Sequence, residues 1–152
     1  MPKFGYSIMG IDPDKTVKAS GRDMRVSPKK AAEVCREIKG LKLEEARGLL
    51  EEVVSLEKMI PFRRHKKKLG HHADKLREHK WFAGGYPVKA AKRILAILKN
   101  AESNADYKGL DVDKLKIIHA SVDLGPRLRR FIPRAFGRSS PRFEQLTRVQ
   151  LV

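Results

Sequence analysis

Apolar residues recur along this chain with two different periods. After Ser27-Pro28, Ala31, Val34, Cys35 and Ile38 fall at the three- and four-residue spacing of one helix face. Ser27 suits the cap, Pro28 the first helical position and Gly40 the end. A second helix is predicted from Leu43 to Glu57, with Leu43, Ala46, Leu49, Leu50 and Val53 inward and Glu44 and Glu45 in its first turn. A third follows Pro87 on Val88, Ala91, Ile94, Leu95, Leu98 and Ala101, with Lys89, Lys92, Arg93 and Lys99 outside that stripe. Gly109 and the DVDK turn end it.

Elsewhere the period is two. Lys15 to Ser20 alternates weakly and predicts a short strand behind an extended, aperiodic tail over residues 1–14. Ile118, Ala120, Val122 and Leu124 share one strand face; Phe143, Thr147, Val149 and Leu151 share another. Joining these two through residues 125–142 makes a hairpin with its apex near Ala135 to Arg138. Each arm then runs about 11 residues past Gly125, roughly 36 Å, further than a small body can cover. The element order predicts an α+β fold, three helices packed on a small three-stranded antiparallel sheet with a long extended β-hairpin. The 152 residues fit a single domain, with a body over about 15–124 and 143–152, a hairpin extension over about 125–142 and a basic insertion over about 58–85.

Charge changes the picture from fold to partner. The net charge of +16 and pI near 10.2 point to a polyanion, nucleic acid ahead of an anionic membrane surface. No apolar run approaches the ~20 residues a membrane helix needs, so no spanning role is expected. Cys35 is the single cysteine and sits on a core stripe, which excludes an internal disulfide and reads as a buried small residue. Without a secretory signal near Met1, a reducing, cytoplasmic setting is expected.

The charge is not spread evenly. Leu43 to Lys58 holds five glutamates against two cations, whereas GPRLRRFIPRAFGRSSPRF at 125–143 holds six arginines and no acid or lysine. A solvated face mixes signs and favours lysine; guanidinium groups clamp phosphate oxygens in pairs and stack on bases. Phe131 and Phe136 among them suit unpaired bases, and the prolines keep other strands off the arm's edges. An isolated two-stranded hairpin is marginal in water, so this one needs an outside partner. The second basic block, PFRRHKKKLGHHADKLREHKW at 61–81, carries Arg63, Arg64, Lys66, Lys67 and Lys68 and reads as a loop or short helix against phosphate. Its histidines, His65, His71, His72 and His79, match no compact zinc-ligand spacing, so neither metal nor cofactor is expected. No phosphate-cradling glycine loop, nucleophile elbow or base-nucleophile pair supports an enzyme. A β-arm rich in arginine and proline also suits an architectural DNA-binding protein that inserts into the minor groove.

Three stretches, KASGRDMRVSPKKAAEVCREIKG at 18–40, LKNAESNAD at 98–106 and KIIHASVDLGPRLRRFIPRAFGRSSPRF at 116–143, together resemble the universal large-subunit ribosomal protein L twenty-two family. The most specific parts are D-x-G-P at Asp123, Gly125 and Pro126, and P-R-A-x-G-R at Pro133, Arg134, Ala135, Gly137 and Arg138. The resemblance implies a structural constituent of the large ribosomal subunit whose partners are large-subunit rRNA, neighbouring ribosomal proteins and the nascent polypeptide. It implies that Arg134, Ala135, Phe136, Gly137 and Arg138 sit at the wall of the exit tunnel. Arg127, Arg129, Arg130 and Arg142 would then grip RNA along the arms, and Arg25, Ser27 and Lys30 would face RNA before the first helix. The long 58–85 segment resembles the archaeal and eukaryotic type rather than the bacterial one.

Overall fold

Local chemistry sets the ends of the three α-helices found among the described residues, which are 5–152 of this computed structural model. Residues 1–4 of the expected N-terminal tail lie outside the described residues. Helix α1 (Pro28–Ile38) begins on Pro28, whose missing N–H has no intrahelical partner to lose. Ser27 holds the cap position, but its hydroxyl caps nothing. Gly40, at φ +92°, turns the chain so that its N–H donates to the Ile117 carbonyl (2.8 Å).

Helix α2 (Leu43–Val54) starts with the Glu45 carboxylate accepting the Lys42 N–H at 3.3 Å. It stops three residues short of the expected Glu57. Leu56 takes a left-handed φ of +69°, and the Glu57 and Lys58 N–H groups both fold back on the Glu52 carbonyl (2.9 and 3.2 Å). Helix α3 (Val88–Lys108) ends on Gly109 at φ +70°. Its inner face is wider than predicted: Ala90, Ile97 and Ala105 are buried with Ala91, Ile94 and Leu98, while Val88, Leu95 and Ala101 are only half-buried.

The helices cover a three-stranded antiparallel sheet in the order β1 (Ala19–Met24), β7 (Glu144–Leu151), β4 (Ala120–Leu128). β1 lies four residues beyond the strand expected at Lys15–Ser20, because its ladder begins where a partner exists, at Ala19 opposite Leu151. β7 is central and buried on both faces. Thr147, Val149 and Leu151 alternate with buried Leu146 and Gln150, and Thr147 Oγ1 donates to the Val26 carbonyl at 2.6 Å. Gln150 accepts the Ser7 N–H and donates to Asp123 Oδ2, both at 2.8 Å.

Three expected core positions are outside. Ile118 is exposed and precedes β4, with Ile117 buried in its place. There the Ile118 and His119 N–H groups both reach the Val152 carbonyl (2.9 and 3.0 Å), an irregularity that shifts the inward phase by one residue. Leu124 is also exposed, while Ala120 and Val122 pack on the core. α3 approaches β1 so closely that a Cβ on Gly21 would lie 2.6 Å from Ile97 Cδ1. Phe143, expected on the inner face of the last strand, lies outside the core and meets Phe131 edge-on.

Residues 58–85 form a closed lobe. β2 (Ile60–Pro61) pairs antiparallel with β3 (Gly84–Gly85), burying Met59, Phe62, Leu76 and Ala83. The segment expected as a loop or short helix is mostly loop, with one 3-10 turn at Arg77–His79. Further along the chain, β4 leads into β5 (Phe131–Pro133), which pairs with β6 (Ser139–Pro141) ahead of β7. The Arg142 N–H donates to the Arg130 carbonyl (2.6 Å) and the Arg134 N–H to that of Arg138 (2.8 Å), so the ladder continues nearly to the apex at Ala135–Gly137.

Candidate nucleic-acid interface

The hairpin leaves the body at Asp123-x-Gly125-Pro126, where the β4–β7 register shifts between Leu124 and Arg127. Gly125 passes so close to its neighbours that a Cβ there would stand 3.2 Å from both Asp23 Oδ1 and the Leu146 carbonyl oxygen. Gln145 clamps the bend: its Nε2 donates to the Gly125 carbonyl at 2.6 Å, and its Oε1 accepts from Arg127 Nε at 3.3 Å. The Arg127 guanidinium also lies 5.8 Å from the centre of the Phe143 ring.

Glu144 joins this base to the body. Its two carboxylate oxygens meet Arg25 Nε at 3.8 Å and Arg130 Nη2 at 3.6 Å. Arg25, with exposed Ser27 and Lys30 following at the start of α1, is therefore held at the root of the arm. Beyond that root every residue from 129 to 139 is exposed, Phe136 at 98%. Among the described residues no carboxylate pairs with Arg129, Arg134, Arg138 or Arg142; Arg134 Nε donates instead to Ser140 Oγ at 3.2 Å. The apex bends through Phe136 at φ +58° and Gly137 at φ +64°. A phenylalanine in that left-handed region stores strain in a turn with no protein packed around it.

The basic lobe is held by a residue that sequence reasoning missed. Glu33 of α1 is 1% exposed, and its carboxylate accepts three successive backbone N–H groups: Arg63 at 3.1 Å, Arg64 at 2.9 Å and His65 at 2.9 Å. Three amides converging on one anion form a nest, here filled from within the protein. Arg36 adds a cation at 3.7 Å. The only signal in the sequence was an acid beside the apolar stripe of α1. With its backbone so anchored, the exposed Arg63, Arg64, Lys66, Lys67 and Lys68 side chains project from a fixed turn.

The histidines do not converge. His79 Nδ1 faces Glu37 at 3.6 Å, His71 packs on Phe82, and among the described residues no group of three or more His, Cys, Asp or Glu could hold a metal ion. Cys35 is buried, and desolvation pushes its thiol from 9.0 up to about 12, which makes it inert as a nucleophile. Among the described residues no helix is long and apolar enough to cross a membrane. Glu44, Glu51, Glu102 and Asp113 line a cavity of about 410 Å³ between α2, α3 and the turn at 112–114, together with Lys99 and with Arg47, which pairs with Glu51 at 3.2 Å and Glu102 at 3.8 Å.

The family described as ribosomal protein L22p/L17e matches residues 19–152, the span holding the sheet, the helices, the lobe and the whole arm. The chain belongs to this family. Over all 152 residues it is 51% identical to the large ribosomal subunit protein uL22 of Archaeoglobus fulgidus, covering 96% of that protein. The proteins of the same name from Methanocaldococcus jannaschii and Thermofilum pendens are 47% and 42% identical, with 95% and 97% of their lengths covered. The matches with these archaeal proteins run through residues 58–85 as well.

Proposed function

We propose that this chain is an RNA-binding scaffold of the large ribosomal subunit, gripping large-subunit rRNA along its arm and through its basic lobe. As a member of a ribosomal protein family it acts as a structural constituent of a cytoplasmic ribosome rather than as an enzyme. The observation that carries the RNA reading is the run 129–139, hydrogen-bonded as a hairpin yet exposed at every residue and studded with guanidinium groups. Such an arm buries too little to order itself, and phosphate contacts supply what a protein core does not.

Arg25, Lys30, Arg127, Arg129, Arg130 and Arg142 then form one electropositive root, and Arg63, Arg64, Lys66, Lys67 and Lys68 a second contact. The tip, Arg134 to Arg138, is the part furthest from the body along the chain's ladder, which suits a position at the exit-tunnel wall beside the nascent polypeptide. The cavity between α2 and α3 sets four carboxylates against Arg47 and Lys99, an excess of negative charge that disfavours phosphate, so that side faces neighbouring ribosomal proteins or solvent.

Binding of the purified chain to a folded large-subunit rRNA fragment and to duplex DNA, each at several salt concentrations, tests this. About six arm contacts alone make log affinity for the rRNA fall against log salt with a slope of roughly −4 to −5, and contacts from the lobe steepen it. A slope near zero, or a preference for duplex DNA, overturns the proposal; the latter favours the minor-groove architectural reading.

A further inference from the structure

The lobe carries a row of aromatic rings that its core does not use. Trp81 and Phe82 stand with ring centres 5.0 Å apart and planes 30° apart, and His71 meets Phe82 edge-on, also at 5.0 Å. Their places are fixed from below. The Trp81 indole N–H donates to the Phe62 carbonyl at 2.9 Å, and the Phe82 carbonyl accepts the His72 N–H at 2.7 Å. Next to them Leu76 and Ala83 are fully buried, so apolar shelter was within reach, yet Phe82 stays 37% exposed.

What lies over the rings is not apolar. Lys66 Nζ sits 5.2 Å from the centre of Trp81 and 5.4 Å from that of Phe82, and the Arg63 guanidinium 5.6 Å from Trp81. Both cations are on exposed side chains. A surface cation holds an aromatic face less strongly than a stacked nucleobase does, and a nucleotide also brings a phosphate for the displaced cation. We infer that Trp81 and Phe82, edged by His71, form a stacking site for an unpaired RNA base, with Lys66 and Arg63 closing on the flanking phosphates. A duplex offers no free base face to such a platform, so the lobe selects single-stranded or bulged RNA where charge alone would take any phosphate backbone. This rests on the RNA-binding reading above.

Trp81 is the only tryptophan in the chain, so the site reports on itself. The full chain is titrated at fixed salt with an end-labelled unstructured single-stranded RNA of about ten nucleotides, with a blunt RNA duplex of equal length, and with inorganic polyphosphate. Label anisotropy and Trp81 emission are followed together. The single strand is expected to quench Trp81 strongly, and the duplex and polyphosphate to leave it nearly unchanged. Phe82→Ala and the volume-keeping Phe82→Leu weaken the quenching isotherm about tenfold, within the range of one lost stacked base, while Phe82→Tyr retains it. Equal quenching by duplex, or single-strand binding by Phe82→Leu as tight as the parent's, overturns the inference. Anisotropy that rises while Trp81 stays silent overturns the stacking site and leaves the phosphate reading standing. No RNA binding by either signal overturns both.

Discussion

Replacing Glu33 by alanine removes an anion that holds the first turn of the basic lobe through three backbone amides at 2.9–3.1 Å. Hydrogen bonds to a charged acceptor contribute about 1.5–3 kcal/mol each, which would sum to roughly 4.5–9 kcal/mol. Residues 63–65 lie near the surface, so the released amides regain water, and about 3–4 kcal/mol is the expected net loss. If the lobe opens by itself, that loss speeds amide exchange at Arg63, Arg64 and His65 by two orders of magnitude or more, at about 1.4 kcal/mol per decade. If it is felt by the whole fold, melting falls by about 10 °C for a chain of this size. Glu33→Gln keeps one oxygen for Arg64 and His65 but turns an amide N–H₂ toward the Arg63 N–H, so it loses about 1–2 kcal/mol and falls between parent and alanine. Hydrogen exchange read by mass spectrometry, beside a urea melt, separates local from global opening. An alanine variant within about 1 kcal/mol of the parent, with exchange at 63–65 unchanged, would refute the idea that this carboxylate anchors the lobe.

Deleting residues 130–142 and joining Arg129 to Phe143 removes no residue of the core cluster, so circular dichroism and the melting temperature of the body should barely change while rRNA affinity drops; collapse of the fold would show that the arm supports the core. Cys35 should resist iodoacetamide at pH 8 in the native chain and react in denaturant, because burial keeps the thiol protonated. The same burial fixes a sign. Below pH 9 the thiol is neutral in both states, and above it the unfolded chain loses its proton first, so this group withdraws stability as pH rises from 9 toward 12. A Cys35→Ala variant should show a flatter alkaline limb in urea melts than the parent.

The periodic stripes of α1 and α2, the Pro28 start, the Gly40 and Gly109 ends and the apex at Ala135–Gly137 were all legible in the sequence. So was the division between an arginine arm and an acidic helix. Each depends on residues within a turn or two of one another, where dihedral preference and side-chain spacing act directly. The tertiary structure decided the rest. β1 starts at Ala19 because β7 ends opposite it at Leu151, and Ile117 rather than Ile118 turns inward because two amides share the Val152 carbonyl. Glu33 reaches amides some 30 residues later, and Trp81 and Phe82 form a platform only once β2 and β3 close the lobe. A hydrogen-bond partner or a ring neighbour is supplied by whichever distant segment the fold brings near, and local periodicity carries no record of that.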